Sequence, residues 1–298
     1  MPAAVDLKLD HLPVLPGVVV RLMELSPGSD SYFDEVLRVS AEDPSLAVRV
    51  IHAANSALSS PRQPIETLQG AVARLGATHI GSLVTAMAMT RVFAPDSPAV
   101  LDLWLHAVEV GAASRLMVAN SPFGVDQHHA YLCGLLHDIG RFVMFAHAPA
   151  AVRNAEEGGW AVPAALIAAE CEAFGFDHTE IGLQVCTRWS IPRRIAAVVH
   201  DHHRPVRLEP PVPADQRLAA IVQIADRLSV LSRTGLLAPV ADDRAALVAL
   251  ITEHCINPDW PAPPVSPELV ASIVPHVLRL AGAAATHLRL VEDPQPRG

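Results

Sequence analysis

The stretch Gly134-Leu-Leu-His-Asp-Ile-Gly-Arg141 decides how this chain is interpreted, because it sets a histidine beside an aspartate inside an apolar run. The run has the composition of a core helix, and burying a carboxylate there is costly unless another group pairs with it. His137 and Asp138 are therefore candidate metal ligands. Adjacent residues point in different directions on one helix, but at the end of a turn they can converge on one ion.

Five further side chains, found by working outward from this pair, are candidates to complete a metal site. In chain order they are His106, His178, His202, His203 and Asp226. Imidazole nitrogen with carboxylate oxygen suits Fe, Mn, Zn or Ni better than Ca²⁺, which prefers an all-oxygen shell. Asp102 precedes His106 by four residues; we interpret it as a surface carboxylate, with a further ligand or an orienting partner of His106 as alternatives. His200 is interpreted as a surface neighbour.

Composition and charge indicate how the core is built, which ligands are excluded and where the protein is located. Hydrophobic residues make up 51% of the 298 residues and aromatic residues only 4%, which favours closely packed helices built from Ala, Leu and Val. The net charge of −9 and the lack of a basic run argue against binding of long nucleic acid. Four scattered cysteines, no signal peptide and no apolar run of about 20 residues predict a cytoplasmic protein that does not span a membrane.

The spacing of apolar residues predicts an all-α fold, because it is helical along the chain and strand signals are weak. The best internal boundary is Ala94-Pro-Asp-Ser-Pro98. One uninterrupted helix is predicted over 128–146, around the His-Asp pair. Helix starts are predicted near Leu12-Pro-Val-Leu-Pro16 and at Asp43-Pro44, and the tail after Asp293 is predicted to be disordered.

Several motifs in a fixed order give the chain a resemblance to the HDOD family, a branch of the HD superfamily. Over roughly residues 11–232 the motifs are Leu12-Pro-Val-Leu-Pro16, Asp43-Pro-Ser-Leu-Ala-Val-Arg-Val50, Ala54-Asn-Ser-Ala57, Trp104-Leu-His106, Gly134-Leu-Leu-His-Asp-Ile-Gly140, Phe174-Gly-Phe-Asp-His-Thr-Glu-Ile-Gly182, Trp189-Ser-Ile-Pro192, His202-His203 and Ala225-Asp-Arg-Leu228. The resemblance implies an N-terminal helical subdomain at 11–95 packed on an HD-like helical bundle at 99–232. Beyond the range of the resemblance, the helical pattern predicts a C-terminal helical extension at 241–290.

The resemblance also implies a ligand set. Related HD-GYP phosphodiesterases, which hydrolyse cyclic di-GMP, bind two or three metals through His, His-Asp, His, His-His and Asp. The matching positions here are His106, His137, Asp138, His178, His202, His203 and Asp226. If the protein is an enzyme, Asp138 and Arg141 would take part in catalysis.

Two departures weaken the enzyme interpretation. The first is Arg141, which stands where active phosphodiesterases usually carry Lys; it keeps the charge but presents it as a rigid fork. The second is the sequence after His203, which reads Arg204-Pro-Val206 where the active relatives have Gly-Tyr-Pro.

Two functions follow from the resemblance. The favoured one is a bacterial signal-transduction protein that acts by binding a protein partner or a small nucleotide, with an HD-type metal site retained. The alternative is a metal-dependent phosphohydrolase or phosphodiesterase acting on a nucleotide or cyclic dinucleotide. The identity of the metal among Fe, Mn, Zn and Ni, and the oligomeric state, are left open.

Overall fold

The computed structural model of the chain describes residues 17–25, 29–42, 44–55, 63–94, 96–121, 125–157, 159–209 and 211–292. Within these ranges the regular elements are fifteen α-helices and a 3-10 helix at Ala238–Val240, with no β-strand. The predicted all-α fold is confirmed. None of the helices in these ranges is both long enough and apolar enough to cross a bilayer. The predictions for Leu12–Pro16, Asp43 and the tail after Asp293 lie outside the described residues.

The chain forms two compact units, and the smaller one contains residues 13–92 with 189–192. Its helices are α1 (Gly17–Glu24), α2 (Asp30–Glu42), α3 (Pro44–Ala54), α4 (Leu68–Leu75) and α5 (Ala77–Val92). They enclose an apolar core that includes Leu22, Tyr32, Val36, Val50 and Ile80.

The larger unit contains residues 93–188 and the chain from 193 onward. Its helices are α6 (Pro98–Ala119), α7 (Gln127–Leu136), α8 (Ile139–His147), α9 (Pro149–Glu157), α10 (Pro163–Phe174), α11 (His178–Arg188), α12 (Arg193–Asp201), α13 (Ala214–Arg233), α14 (Arg244–His254) and α15 (Pro267–Glu292). The last two helices come from the predicted C-terminal extension; they belong to this unit, and α15 packs along α6. The domain limits predicted from the sequence stay a prediction.

Local sequence sets where the helices near the site begin. At α6, Ser97 is the N-cap and accepts a hydrogen bond from Val100 N at 3.3 Å, while Pro98 occupies the first turn. At α7, the carboxylate of Asp126 accepts from the backbone N–H groups of His128 and His129 at 2.8 and 3.0 Å. These caps satisfy backbone donors that the first helical turn leaves without a partner.

Helices α6 and α7 approach closely where two glycines meet. A Cβ atom on Gly134 would lie 2.7 Å from the carbonyl oxygen of Val110 and 2.8 Å from the Cα of Gly111, so no side chain fits there. The crossing therefore depends on glycine. It brings the end of α7, where the His-Asp pair begins, beside the part of α6 that carries His106.

Candidate metal centre

The His-Asp pair lies at a break between two helices. Helix α7 ends at Leu136, His137 and Asp138 form a turn, and α8 begins at Ile139. The single helix predicted over 128–146 is therefore wrong. The break has a chemical consequence, because two adjacent side chains of a continuous helix diverge whereas those of a turn can face one point.

The first group of candidate ligands combines three buried side chains from three parts of the larger unit. His106 on α6 places its Nε2 atom 3.2 Å from Nε2 of His137 and 3.2 Å from Oδ1 of Asp226 on α13. Nε2 of His137 lies 4.0 Å from the same Asp226 oxygen. These distances leave the three donor atoms facing a common point.

The second group contains Asp138, His178, His202 and His203. Nε2 of His178, at the start of α11, lies 3.3 Å from Nε2 of His202, which follows α12. Oδ1 of Asp138 is 3.5 Å from the first of these nitrogens and 3.6 Å from the second. The ring of His203 lies next to both, with ring centroids 5.1 Å from His178 and 4.1 Å from His202.

Asp138 joins the two groups through its two oxygens. Oδ1 faces His178 and His202, whereas Oδ2 lies 3.7 Å from Nε2 of His106 and 3.6 Å from Nε2 of His137. Burial alone would raise the pKa of this carboxyl, but His137 and the Arg141 guanidinium outweigh it and hold the pKa well below its usual range. Asp138 is thus an ionised carboxylate placed between two sets of nitrogens.

The four histidines whose Nε2 atoms face the centre are held from behind through their Nδ1 atoms. Nδ1 of His137 contacts the carbonyl of Gly134 at 2.7 Å, and Nδ1 of His202 contacts the carbonyl of Val199 at 2.7 Å. A carbonyl only accepts, so both Nδ1 atoms must carry the hydrogen. A neutral imidazole with a hydrogen on Nδ1 has its lone pair on Nε2, which is the form that a metal needs.

Two buried carboxyl groups hold the remaining pair of histidines. Nδ1 of His178 donates to Oε2 of Glu170 at 2.6 Å, and Nδ1 of His106 contacts the Ser229 hydroxyl at 2.9 Å. That hydroxyl in turn donates to Glu109. The residues predicted from the sequence did not include Glu109, Glu170 and Ser229. The signal available was their position in otherwise apolar helices, where a buried polar group needs a partner.

Burial and neighbouring charges shift the pKa values of the candidate ligands in different directions. Burial lowers the pKa of His137 to about 4, so this ring is neutral. Burial would also lower the pKa values of His106 and His178, but Asp226 and Glu170 respectively raise them above the ordinary value. Burial would raise the pKa of Asp226, yet its hydrogen bond with His106 keeps this carboxyl ionised.

The donor set fits divalent transition-metal ions. Within each group, one ligand atom from every residue lies within 4.8 Å of the others. In addition, two Nε2 atoms lie 3.2 Å apart in the first group and 3.3 Å apart in the second, which is the distance of a hydrogen bond from one nitrogen to the other. Two lone pairs at this distance repel each other unless a cation, either a proton or a metal ion, lies between them. The residues present therefore suit two neighbouring metal positions.

Arg141 lies against the centre but is held by carboxylates. Its Nη1 donates to Oδ2 of Asp138 at 2.9 Å, and its Nη2 pairs with Glu156 on α9. The resemblance implied a part in catalysis for Arg141 only if the protein is an enzyme. The structure places its guanidinium in the lining of a cavity of about 430 Å³ that also reaches His106, Asp138 and Asp226.

Two further residues weighed from the sequence lie outside both ligand groups. Asp102 lines the same cavity and pairs with Arg233 through a mostly exposed carboxylate, whereas the ring nitrogens of His106 contact other residues. His200 pairs with its neighbour Asp201 through Nδ1 at 2.7 Å and joins neither group. All seven residues predicted as ligands, in contrast, come together in the two groups.

Comparison with known proteins places the chain among HDOD proteins. The model of the HDOD domain matches residues 12–205. An uncharacterized protein of Treponema pallidum (strain Nichols) is 21% identical over 205 residues, which cover 68% of this chain and 40% of that protein. This chain therefore spans less than half the length of that relative.

Solved structures share the fold at low sequence identity. An HDOD domain protein of unknown function from Geobacter sulfurreducens is 23% identical, with a TM-score of 0.70 and 94% of both chains covered. A Marinobacter aquaeolei VT8 protein, provisionally named a signal transduction protein, is 20% identical, with a TM-score of 0.71 over 93% of this chain and 60% of its own. A Shewanella amazonensis SB2B protein, provisionally named a phosphohydrolase, is 22% identical, with a TM-score of 0.67 over 98% of both chains. Since the family match covers more than half of the sequence and includes the His-Asp pair, this chain belongs to the HDOD family.

Proposed function

We propose that this protein is a metal-dependent phosphohydrolase that holds two divalent transition-metal ions against a phosphate ester. One observation carries the proposal: the two oxygens of Asp138 face two different groups of histidine nitrogens. His106, His137 and Asp226 would hold one ion, and His178, His202 and His203 the other. Divalent ions in such a site polarise a phosphoryl oxygen and lower the pKa of water.

The charge of the site suits an anionic ligand. Two of the seven candidate ligands are carboxylates, so their negative charge is half of that needed to balance two divalent ions. The remaining positive charge attracts a phosphate group. The Arg141 guanidinium adds a donor on the same side of Asp138, where it can hydrogen-bond to a phosphate oxygen.

Arg141 also supports a second candidate function. Because the guanidinium is tied to both Asp138 and Glu156, a phosphate would have to compete with two carboxylates for its donors. Such a site can bind a nucleotide without cleaving it, as a signal-transduction protein would that reports its ligand to a protein partner. We rank this function second, because binding alone does not require a carboxylate shared between two groups of nitrogens.

Metal content and turnover of the Asp138→Ala variant test the proposal. We expect the purified protein, loaded with Mn²⁺, to hold about two ions per chain and to hydrolyse bis(p-nitrophenyl) phosphate. Asp138→Ala should lose both properties, because each ion loses a shared ligand. The measurements are elemental analysis and release of p-nitrophenol.

The matched control is Asp201→Ala, which removes a half-exposed carboxylate beside His200 in the same histidine-rich segment. It should keep metal and activity. Turnover that survives in Asp138→Ala would refute a hydrolase mechanism that depends on this metal site. Stoichiometric metal without turnover of any phosphate ester would leave the binding function.

A further inference from the structure

A second cavity adjoins the candidate metal centre. It has a volume of about 750 Å³, within the range of small-molecule sites, and reaches His203 and Asp226. The cavity that contains Arg141 is lined by the same two residues and also shares Pro163 and Val230 with it. The two cavities therefore meet beside the candidate ligands, one with charged walls and one mainly apolar.

Apolar side chains from α10, α13 and the segments next to them form the walls of the second cavity. They include Val162, Ala164, Ile167, Ala168, Leu231 and Leu236. Val162 is 56% exposed and Leu236 49% exposed, which makes them two of the five large hydrophobic residues that stand out as exposed in the described part of the chain. Single exposed hydrophobic residues are ordinary, but two on one cavity form an apolar surface with room for a ligand.

Val162 also breaks a local rule of helix formation. It is the N-cap of α10 and makes no side-chain cap hydrogen bond, although Ser, Thr, Asp and Asn are preferred at this position. A residue that lowers helix stability and exposes apolar surface points to another role. Trp160, two residues earlier, lines the first cavity and adds an aromatic ring next to this wall.

We propose that the second cavity binds the organic part of the substrate, and that this part is an uncharged aromatic or apolar group. This inference rests on the proposed function, because the phosphate of the same molecule would lie at the metal centre. The apolar side chains of this wall cannot replace the hydration of a charged or strongly polar group. Polar groups line the cavity elsewhere, at Arg227, Thr234 and His254. Aryl phosphate esters and nucleotides with an exposed base should therefore bind more tightly than small sugar phosphates, because their rings cover the apolar wall.

The test compares two phosphonates that cannot be hydrolysed and differ only in their organic group. We expect phenylphosphonate to bind the Mn²⁺-loaded protein at least about tenfold more tightly than methylphosphonate, because the ring buries apolar surface. The double variant Val162→Ser and Leu236→Ser should remove most of this preference and leave methylphosphonate binding unchanged. Ala164→Trp should narrow the cavity and weaken the binding of phenylphosphonate only. Isothermal titration calorimetry gives each affinity.

The matched control is Val48→Ser with Leu278→Ser, which makes the same changes at exposed positions outside this cavity. It should retain the preference for phenylphosphonate. Equal affinities for the two phosphonates, or an unchanged preference in the cavity variants, would overturn the cavity proposal alone. If neither compound binds more tightly with Mn²⁺ than without it, the proposed function and the cavity proposal are both wrong.

Discussion

At the scale of single residues, Glu170 controls the proton on His178. Its Oε2 accepts from the backbone N–H of His178 at 3.0 Å and from Nδ1 at 2.6 Å, in a fully buried position. Burial alone would lower the pKa of His178, but the Glu170 carboxylate raises it above the ordinary value. A metal ion at Nε2 competes with the proton that this atom takes up when the pH falls below that pKa. Affinity for Mn²⁺ should therefore fall as the pH drops through the raised pKa and level off above it.

The Glu170→Gln variant tests this coupling. It keeps the shape of the side chain but removes its charge, so the pKa of His178 falls and the loss of Mn²⁺ affinity begins at lower pH. At pH 8 the affinity should drop about tenfold, because the uncharged amide makes the imidazole a weaker ligand. Titrations from pH 6 to pH 8 measure both effects. Glu172→Gln, an exposed change on the same helix, should match the unaltered protein, and identical profiles for both variants would contradict the coupling.

The sequence predicts the ligands better than the residues that support them. His106 and His137-Asp138 stand out in apolar helices because their nitrogen and carboxylate groups are ligands that a metal ion requires. The other histidines are identified from their order, which matches the family resemblance. Glu109 lies 120 residues from Ser229, and only packing of α6 against α13 brings them together. No local pattern records such a contact. The apolar neighbours of Glu109 and Glu170 indicate burial but do not name the partner.

At the scale of helices, glycines allow the helices that carry the candidate ligands to approach one another closely. A Cβ on Gly140 would be 1.9 Å from the backbone oxygen of His178, so α8 and the start of α11 touch through their backbones. This contact holds Asp138 beside His178. We expect Gly140→Ala to lower the free energy of unfolding by about 3 kcal/mol, because backbone atoms cannot move aside as a flexible side chain can. The same variant should bind Mn²⁺ more weakly.

Gly282→Ala is the matched control, because it makes the same change inside helix α15 at an exposed position where no described atom outside the adjoining helix backbone lies within 4 Å of the new Cβ. Alanine is the better helix former, so this variant should gain about 0.5–1 kcal/mol. Denaturant unfolding measures both variants. A Gly140→Ala protein as stable as the control would show that the contact between α8 and α11 does not constrain the site.

Helix boundaries show what periodicity can and cannot reveal. The ends of α10 and α11 are marked in the sequence, because Pro163 begins α10, Gly175 follows it and Asp177 caps the start of α11. The break at His137-Asp138 was missed, since residues 128–146 are apolar enough for one helix and no proline or turn dipeptide lies at the pair. Tertiary contacts at Gly134 and Gly140 favour the turn, and sequence periodicity does not contain that information.

At the scale of the whole molecule, the candidate chemistry is confined to one of the two units. In the part of the chain that the structure describes, the groups of three or more side chains suited to a metal both lie in the larger unit. The helices α2 to α5 of the smaller unit contribute an apolar core instead. A ligand stabilises the parts that bind it, by RT ln(1 + [L]/Kd), which is about 2.7 kcal/mol at a hundredfold excess over Kd.

Hydrogen exchange with and without Mn²⁺ tests how far that stabilisation extends. We expect Mn²⁺ to slow amide exchange around His106, at the turn between α7 and α8, at the start of α11 and in α13, because these elements carry the ligands. Exchange in α2 to α5 should stay unchanged, since no candidate ligand lies there. The Asp138→Ala variant should show no slowing in either unit. Slower exchange in α2 to α5 of the unaltered protein would mean that metal binding is coupled to the smaller unit, which a signalling protein requires and a hydrolase does not.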